Sequence, residues 1–248
     1  MNFKFELNKQ YKDTKEFLLN IKKYFKENNQ TIHKARNELK VIEYKEVKTV
    51  VKAFKIPNKI NQIVYAYFRD SKAKKSYNNA VKLIDLGLNT PEPIGYIEFY
   101  RNYLFKESFF IAKKCEYNFT IREPLRNKNL ENREEIIKQF VTFTYTLHKN
   151  NVYHKDFSAG NTLVSIKDKY YEFSVVDINR MEFKVIDLET GLDNFAKLWL
   201  DEEDIILISS TYAKLAKKDI NKAIEILKKS DKKLKDFVEL KRKIRGKN

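Results

Sequence analysis

Three polar side chains in the C-terminal half are spaced for chemistry. In Val152–Asn161, VYHKDFSAGN, two apolar positions precede His154. Asp156 follows, and Asn161 comes five residues later. A β-like run, SVVD, then ends at Asp177. A carboxylate, an amide and a second carboxylate in this order suit phosphoryl transfer. That reaction needs a carboxylate within hydrogen-bond reach of the attacking hydroxyl, and hard oxygen donors for Mg²⁺ bridging the phosphates of ATP. Asp156 is the candidate catalytic base. Asn161 can reach back to one metal ion, and Asp177, returned by a hairpin, can hold the other. Gly160 is expected to free the backbone beside Asn161, and His154 to brace the loop rather than react.

The elements needed to position these groups are legible around them. ENREEIIKQFVTFTYTLHK, 131–149, reads as a helix with acidic residues in its first turn and Lys149 in its last, as the helix dipole prefers. Runs 162–166 and 170–177 flank Lys167-Asp168-Lys169 as a hairpin. In the N-terminal half, an amphipathic helix over 11–27 precedes short strands at 30–33, 38–44 and 47–54, an antiparallel meander rich in Val, Ile and Tyr. A helix over 71–86 has Ser71 as N-cap and Gly87 as stop. Two further strands are expected near 94–99 and 103–112, and the tail 211–248 is helical. Strand alternation turns Lys52 of VVKAF away from Val51 and Ala53. It can therefore face a cleft and contact ATP phosphates, with Lys48 and Lys55 as alternatives. The expected architecture is α+β: an N-lobe, 1–116, binding nucleotide, and a mostly helical C-lobe, 117–248, with the catalytic loop, the metal site and a basic tail.

The His-x-Asp-x4-Asn loop with its hairpin-returned Asp resembles the catalytic loop and metal-binding Asp of protein-kinase-like phosphotransferases. HKDFSAGN, SVVDINRM, VVKAF, the passage from SKAKKSY to LIDLGLNTPEPIGY, and NFAKLW together resemble bacterial lipopolysaccharide core kinases of the Kdo/heptose type, over about residues 30–200. The resemblance implies a two-lobed protein-kinase-like fold and ATP- and Mg²⁺-dependent phosphorylation of a sugar hydroxyl on a lipid-linked glycan at the inner membrane. By position, Asp156 is the base, Asn161 and Asp177 are metal and nucleotide ligands, and Lys52 is the nucleotide lysine. The chain departs from kinases in three places. No glycine-rich loop lies between the first strands of the meander, where Arg36 or backbone groups would have to cover the phosphates. The helix at 71–84 has no acidic residue to pair with Lys52, leaving Glu38 and Glu43 as candidates. Asp177 opens Asp-Ile-Asn-Arg, with little room for an activation segment.

Composition limits the function classes. With 50 Lys+Arg against 34 Asp+Glu, the chain carries +16, and the tail 211–248 alone is net +9. Such a field favours anionic partners and disfavours the polycationic substrates of aminoglycoside-type phosphotransferases. It suits a carboxylated or phosphorylated sugar acceptor and an anionic membrane surface, and no nucleic-acid partner is expected. Residues 56–75 suit either a helix lying on a membrane or an insert packed on the N-lobe. The lone Cys115 excludes an intramolecular disulfide framework, and no apolar run is long enough to span a bilayer, so a cytoplasmic or peripheral inner-membrane location is expected. His33 and His148 read as structural, and Cys115 and Trp199 as core. The competing readings are a small atypical protein kinase and a nucleotide-binding pseudokinase or scaffold.

Overall fold

Alternating apolar and polar residues in the first half pair into one antiparallel sheet with two covered faces. The computed structural model describes residues 2–34, 37–168, 170–244 and 246. The chain divides into two compact units, 1–116 and 117–248. The first unit opens with β1 (Asn2–Leu7), then α1 (Lys15–Leu19) and α2 (Ile21–Glu27), which meet at Asn20. Next come β2 (Thr31–Lys34), β3 (Glu38–Tyr44), β4 (Val47–Phe54), α3 (Lys59–Tyr67) and α4 (Lys72–Asp85). β5 (Pro93–Arg101) and β6 (Leu104–Lys113) complete the set. Among the described residues the sheet order is β1-β5-β6-β4-β3-β2.

Period-two alternation decides which helix covers which face. Ile42, Val51, Ile97, Phe99, Phe109 and Ile111 bury against Phe17, Leu18, Ile21 and Phe25 of α1 and α2. On the other face Phe54 and Tyr96 pack against Ala73 and Tyr77 of α4. α4 begins where expected, with the Ser71 hydroxyl accepting from the Lys74 N–H at 3.1 Å. It stops at Leu86 and Gly87. The expected opening helix over 11–27 is broken, with a 3-10 segment at Lys9–Thr14 and a non-helical Asn20 between α1 and α2. Arg36 lies outside the described residues, as do Ala35, Lys169 and the side chain of His33.

The second unit places β7 (Phe119–Thr120) and α5 (Arg122–Arg126) before α6 (Arg133–Lys149). β8 (Val152–His154), β9 (Thr162–Ile166), β10 (Tyr171–Val175) and β11 (Met181–Phe183) follow. Then come α7 (Leu188–Phe195), α8 (Glu202–Ala216) and α9 (Ile220–Ile244). β9 and β10 form the expected hairpin, and β8 pairs antiparallel with β11. Phe140 of α6 is fully buried among Phe157, Phe173 and Phe195, so the middle of the long helix packs directly against the loop carrying Asp156.

One buried ion pair joins α6 to α8. Arg133 donates to Asp204, which is 1% exposed, and its Nε donates to the Pro124 carbonyl at 2.7 Å. Removing one partner strands the other charge away from water. Asp204→Ala is expected to cost about 3–5 kcal/mol, read as a fall in the urea midpoint with an unchanged slope. An unchanged midpoint would show that this pair does not hold α6 to α8.

Candidate active site

The loop that follows β8 is held by hydrogen bonds whose directions can all be assigned. The Asp156 N–H donates to His154 Nδ1 at 3.1 Å, so that nitrogen is unprotonated. His154 Nε2 must then carry the proton, and it donates to the Val176 carbonyl at 2.9 Å. The ring is 1% exposed, and burial lowers its pKa, which keeps it neutral. It braces the loop, as its sequence position implies.

Asn161 closes the turn. Its Nδ2 donates to the Asp156 carbonyl at 2.8 Å, which leaves Oδ1 as the acceptor end of the amide. Its backbone carbonyl accepts from the Val176 N–H at 2.9 Å. Val176 thus links to both His154 and Asn161, and the next residue is Asp177. Asp177 sits in the left-handed region, φ 56°, with its carboxylate accepting from Asn179 Nδ2. A non-glycine residue held there stores backbone strain, as functional turns often do. The structure therefore brings Asp156, Asn161 and Asp177 onto one bonded framework.

Gly160 does not supply the backbone freedom expected of it. Its φ is not positive. The nearest atom to a Cβ at this position would be Arg122 Nη2 at 2.8 Å, the mobile end of a side chain that a larger residue could displace. The Asp156 carboxylate is half exposed, and Arg180 Nη1 donates to its Oδ2 at 3.3 Å. Beside it, Lys155 and Lys184 both pair with Glu182. Lys197 donates to the Tyr153 hydroxyl at 3.3 Å, and its ammonium lies 5.1 Å from the Tyr153 ring centroid. Burial lowers the Lys197 pKa, against the opposing pull of the Asp193 and Asp156 carboxylates. Its place in NFAKLW was visible in the sequence, but its proximity to the loop was not.

A buried chain supports the loop from behind. Asn194 Nδ2 donates to the His154 carbonyl at 3.0 Å, so its Oδ1 accepts from His148 Nε2 at 3.2 Å. His148 Nδ1 in turn accepts from the Tyr212 hydroxyl at 2.9 Å. Gly191 leaves the space for this, since a Cβ there would fall 2.2 Å from the Tyr212 hydroxyl oxygen. Trp199 departs from expectation: it is 52% exposed in a left-handed conformation rather than part of the core. Cys115 is half-buried.

Lys52 belongs to the first unit. Its cross-strand partners place it on the face that α4 covers, with its ammonium 5.4 Å from the Phe54 ring centroid. The register separates it from both candidate carboxylates. Glu38 lies opposite Ala53, on the α1–α2 face, where it pairs with Lys40 at 3.8 Å. Glu43 lies opposite Lys48, two same-face positions away, about 13 Å along the strand. The face that carries Lys52 also carries Glu98, a carboxylate 4% exposed and hydrogen-bonded by the Tyr100 hydroxyl at 2.8 Å, which composition alone did not single out.

A model of the lipopolysaccharide kinase (Kdo/WaaP) family matches residues 57–216. The chain belongs to this family. The matched stretch contains Asp156, Asn161 and Asp177 and begins five residues after Lys52. A solved structure of WaaP in complex with acyl carrier protein is similar in fold, with a TM-score of 0.63 and 12% identity over 94% of this chain and 98% of that one. No curated protein matches the sequence. Solved structures that match number 1269 chains, so the shared fold does not choose a substrate. As a member of the lipopolysaccharide kinase family the protein is an ATP-using phosphotransferase with a two-lobed kinase fold.

The supporting chain carries a pH signature. Burial pushes the His148 pKa down to about 4, whereas the unfolded chain takes up this proton near the ordinary value of 6.5. Below pH 6.5 the unfolded state therefore binds more protons, and stability falls as pH drops. This residue is expected to account for about 2–3 kcal/mol of the stability lost between pH 7 and pH 4.5. Urea titrations at both values should show that loss shrinking in His148→Gln. An equal loss in the variant would place the acid sensitivity elsewhere.

Proposed function

We propose that this kinase transfers the γ-phosphoryl group of ATP to a sugar hydroxyl, Kdo or heptose, of a lipid-linked lipopolysaccharide core. The observation that carries this reading is the interlocked loop of Asp156, Asn161 and Val176-Asp177. Asp156 offers a half-exposed carboxylate to the acceptor hydroxyl and takes its proton as the oxygen attacks the γ-phosphorus and ADP leaves. Arg180 orients that carboxylate before the acceptor arrives. Lys52 is the donor-phosphate lysine.

The donor chemistry fits Mg²⁺. Asn161 leaves an amide oxygen as acceptor and Asp177 supplies a carboxylate, both hard oxygen ligands. Among the described residues no cluster of three or more His, Cys, Asp or Glu could hold a metal. That suits an ion held by one or two side chains plus phosphate oxygens. When bound, it would neutralise charge on the phosphates.

The acceptor's carboxylates or phosphates would meet Lys184 and Lys197, which lie against the Tyr153 ring, and Lys155, which shares Glu182 with Lys184. Only ten residues separate Asp177 from α7, too few for a long peptide-docking segment, which favours a sugar over a protein acceptor. Association with the inner membrane belongs to the same reading. The WaaP structure contains acyl carrier protein, so co-purification with that carrier is the matching test for a protein partner.

The deciding assay incubates the protein with Mg-ATP and deacylated core oligosaccharide and follows transfer by mass spectrometry. One added phosphate on the sugar is expected, with the rate falling about 10²–10⁴-fold in Asp156→Asn. If ATP binds while no acceptor is labelled, the pseudokinase reading replaces this one. If the sugar is phosphorylated at the same rate by Asp156→Asn, the base lies elsewhere.

A further inference from the structure

α3 is inside out. Its buried position is a glutamine: Gln62 donates through Nε2 to the Pro57 carbonyl at 2.9 Å and accepts from Lys106 at 2.8 Å. Its second anchor is Tyr65, whose ring meets Phe105 at 5.5 Å between centroids. The isoleucines face the other way. Ile60 is 74% exposed, Ile63 46% and Tyr67 62%, at i, i+3 and i+7 on one stripe, and Phe68 just past the helix is 81% exposed. A water-facing helix is expected to bury such a stripe and expose its polar residues. Here Gln62 and Tyr65 make the packing contacts, Val64 is half-buried, and Ile60, Ile63 and Tyr67 are left open.

The charges beside this stripe are nearly all of one sign. Lys55, Lys59 and Arg69 are exposed, and Lys72 follows. The only acid between 55 and 75 is Asp70, which pairs with Lys74 at 2.8 Å. A polar cleft of about 570 Å³ opens next to Tyr67 and Phe68, with Lys4, Arg69, Lys74 and Glu98 among its walls. Apolar side chains on a convex helix, aromatics at its end and a cationic border match the headgroup boundary of an anionic bilayer. A protein groove also takes an exposed amphipathic helix, and it is the one-sign cationic border that favours the anionic bilayer. Among the described residues no helix is long and apolar enough to cross a membrane, so the contact is with its surface.

We infer that α3 is a membrane-docking helix, laying Ile60, Ile63, Tyr67 and Phe68 into the headgroup layer of an anionic bilayer with Lys55, Lys59 and Arg69 against lipid phosphates. This deepens the lipid-linked acceptor reading by naming the surface that meets the lipid, yet its test does not measure phosphotransfer.

The experiment is vesicle flotation of the full chain with phosphatidylglycerol-containing or pure phosphatidylcholine vesicles. It compares wild type with Ile60→Asp/Ile63→Asp and with Lys55→Glu/Lys59→Glu. Wild type is expected to float with the anionic vesicles only, and each double variant to bind them about tenfold or more weakly. Both apolar positions are exposed, so circular dichroism and the rate on deacylated, water-soluble acceptor should stay at the wild-type value. Failure of wild type to bind anionic vesicles overturns the inference, as does equal binding by the isoleucine variant. Retention by acyl carrier protein, lost in the isoleucine variant, with no vesicle binding also overturns it and makes the stripe a protein interface. Should phosphotransfer fail while flotation follows expectation, the kinase reading falls and the docking helix stands.

Discussion

The loop that carries Asp156 depends on a neutral imidazole with both nitrogens engaged. His154 accepts from the N–H of Asp156 and donates to the carbonyl of Val176, so one ring fixes the backbone of the candidate base to the residue preceding Asp177. Protonation would turn Nδ1 into a donor facing another donor. Phe157, whose ring centroid lies 5.8 Å away, helps enclose the ring, and Phe140 and Phe195 pack behind it. Burial keeps the imidazole neutral, and neutrality keeps both bonds. Leaving either group unpaired at this depth costs on the order of 1–3 kcal/mol, so the aromatic core and the polar loop are one device.

The same logic extends outward through Asn194. An amide is the side chain that can donate to the His154 carbonyl and accept from His148 at once. A carboxylate at that position could not donate, and an aliphatic residue would strand both partners. The His154 carbonyl, which can only accept, sets the direction of the chain, and His148, which the sequence marks only as structural, relays it to Tyr212. α6 and α7 are joined through these polar groups as well as through Phe140 and Phe195.

What could be read in the sequence was local. The Ser71 cap and the Gly87 stop of α4, the β9–β10 hairpin and the side of β4 on which Lys52 stands all follow from short-range pattern. Register does not: nothing in ELKVIEY tells that Glu38 lies opposite Ala53 and so on the wrong face for Lys52. β1 escaped notice because NFKFEL is mostly exposed and lacks a core signature, and its place beside β5 is set by pairing far along the chain. α3 misleads in another way. Its apolar spacing is real, but spacing cannot say which side of a helix the fold covers. The loop glycine was read as backbone freedom, but its φ is not positive, and what lies against it is Arg122, a residue 38 positions earlier that only folding brings near.

Net charge also has to be resolved into places before it says anything about a substrate. Lys128 and Arg133 are neutralised by Asp201, Glu203 and Asp204 and serve the packing of α6 on α8. Lys155 and Lys184 share Glu182, so this group has one uncompensated charge. Arg180 is balanced by Asp156 until an acceptor arrives. Lys197 differs, because it is partly withdrawn from water with a phenol for company. Asp193 and Asp156 offset only part of that desolvation, and the remaining cost falls when a further anion binds beside the ammonium. An anion placed here would gain more from Lys197 than from the hydrated lysines of α9. Local desolvation, more than the overall +16, is what makes this part of the surface receptive to an anion.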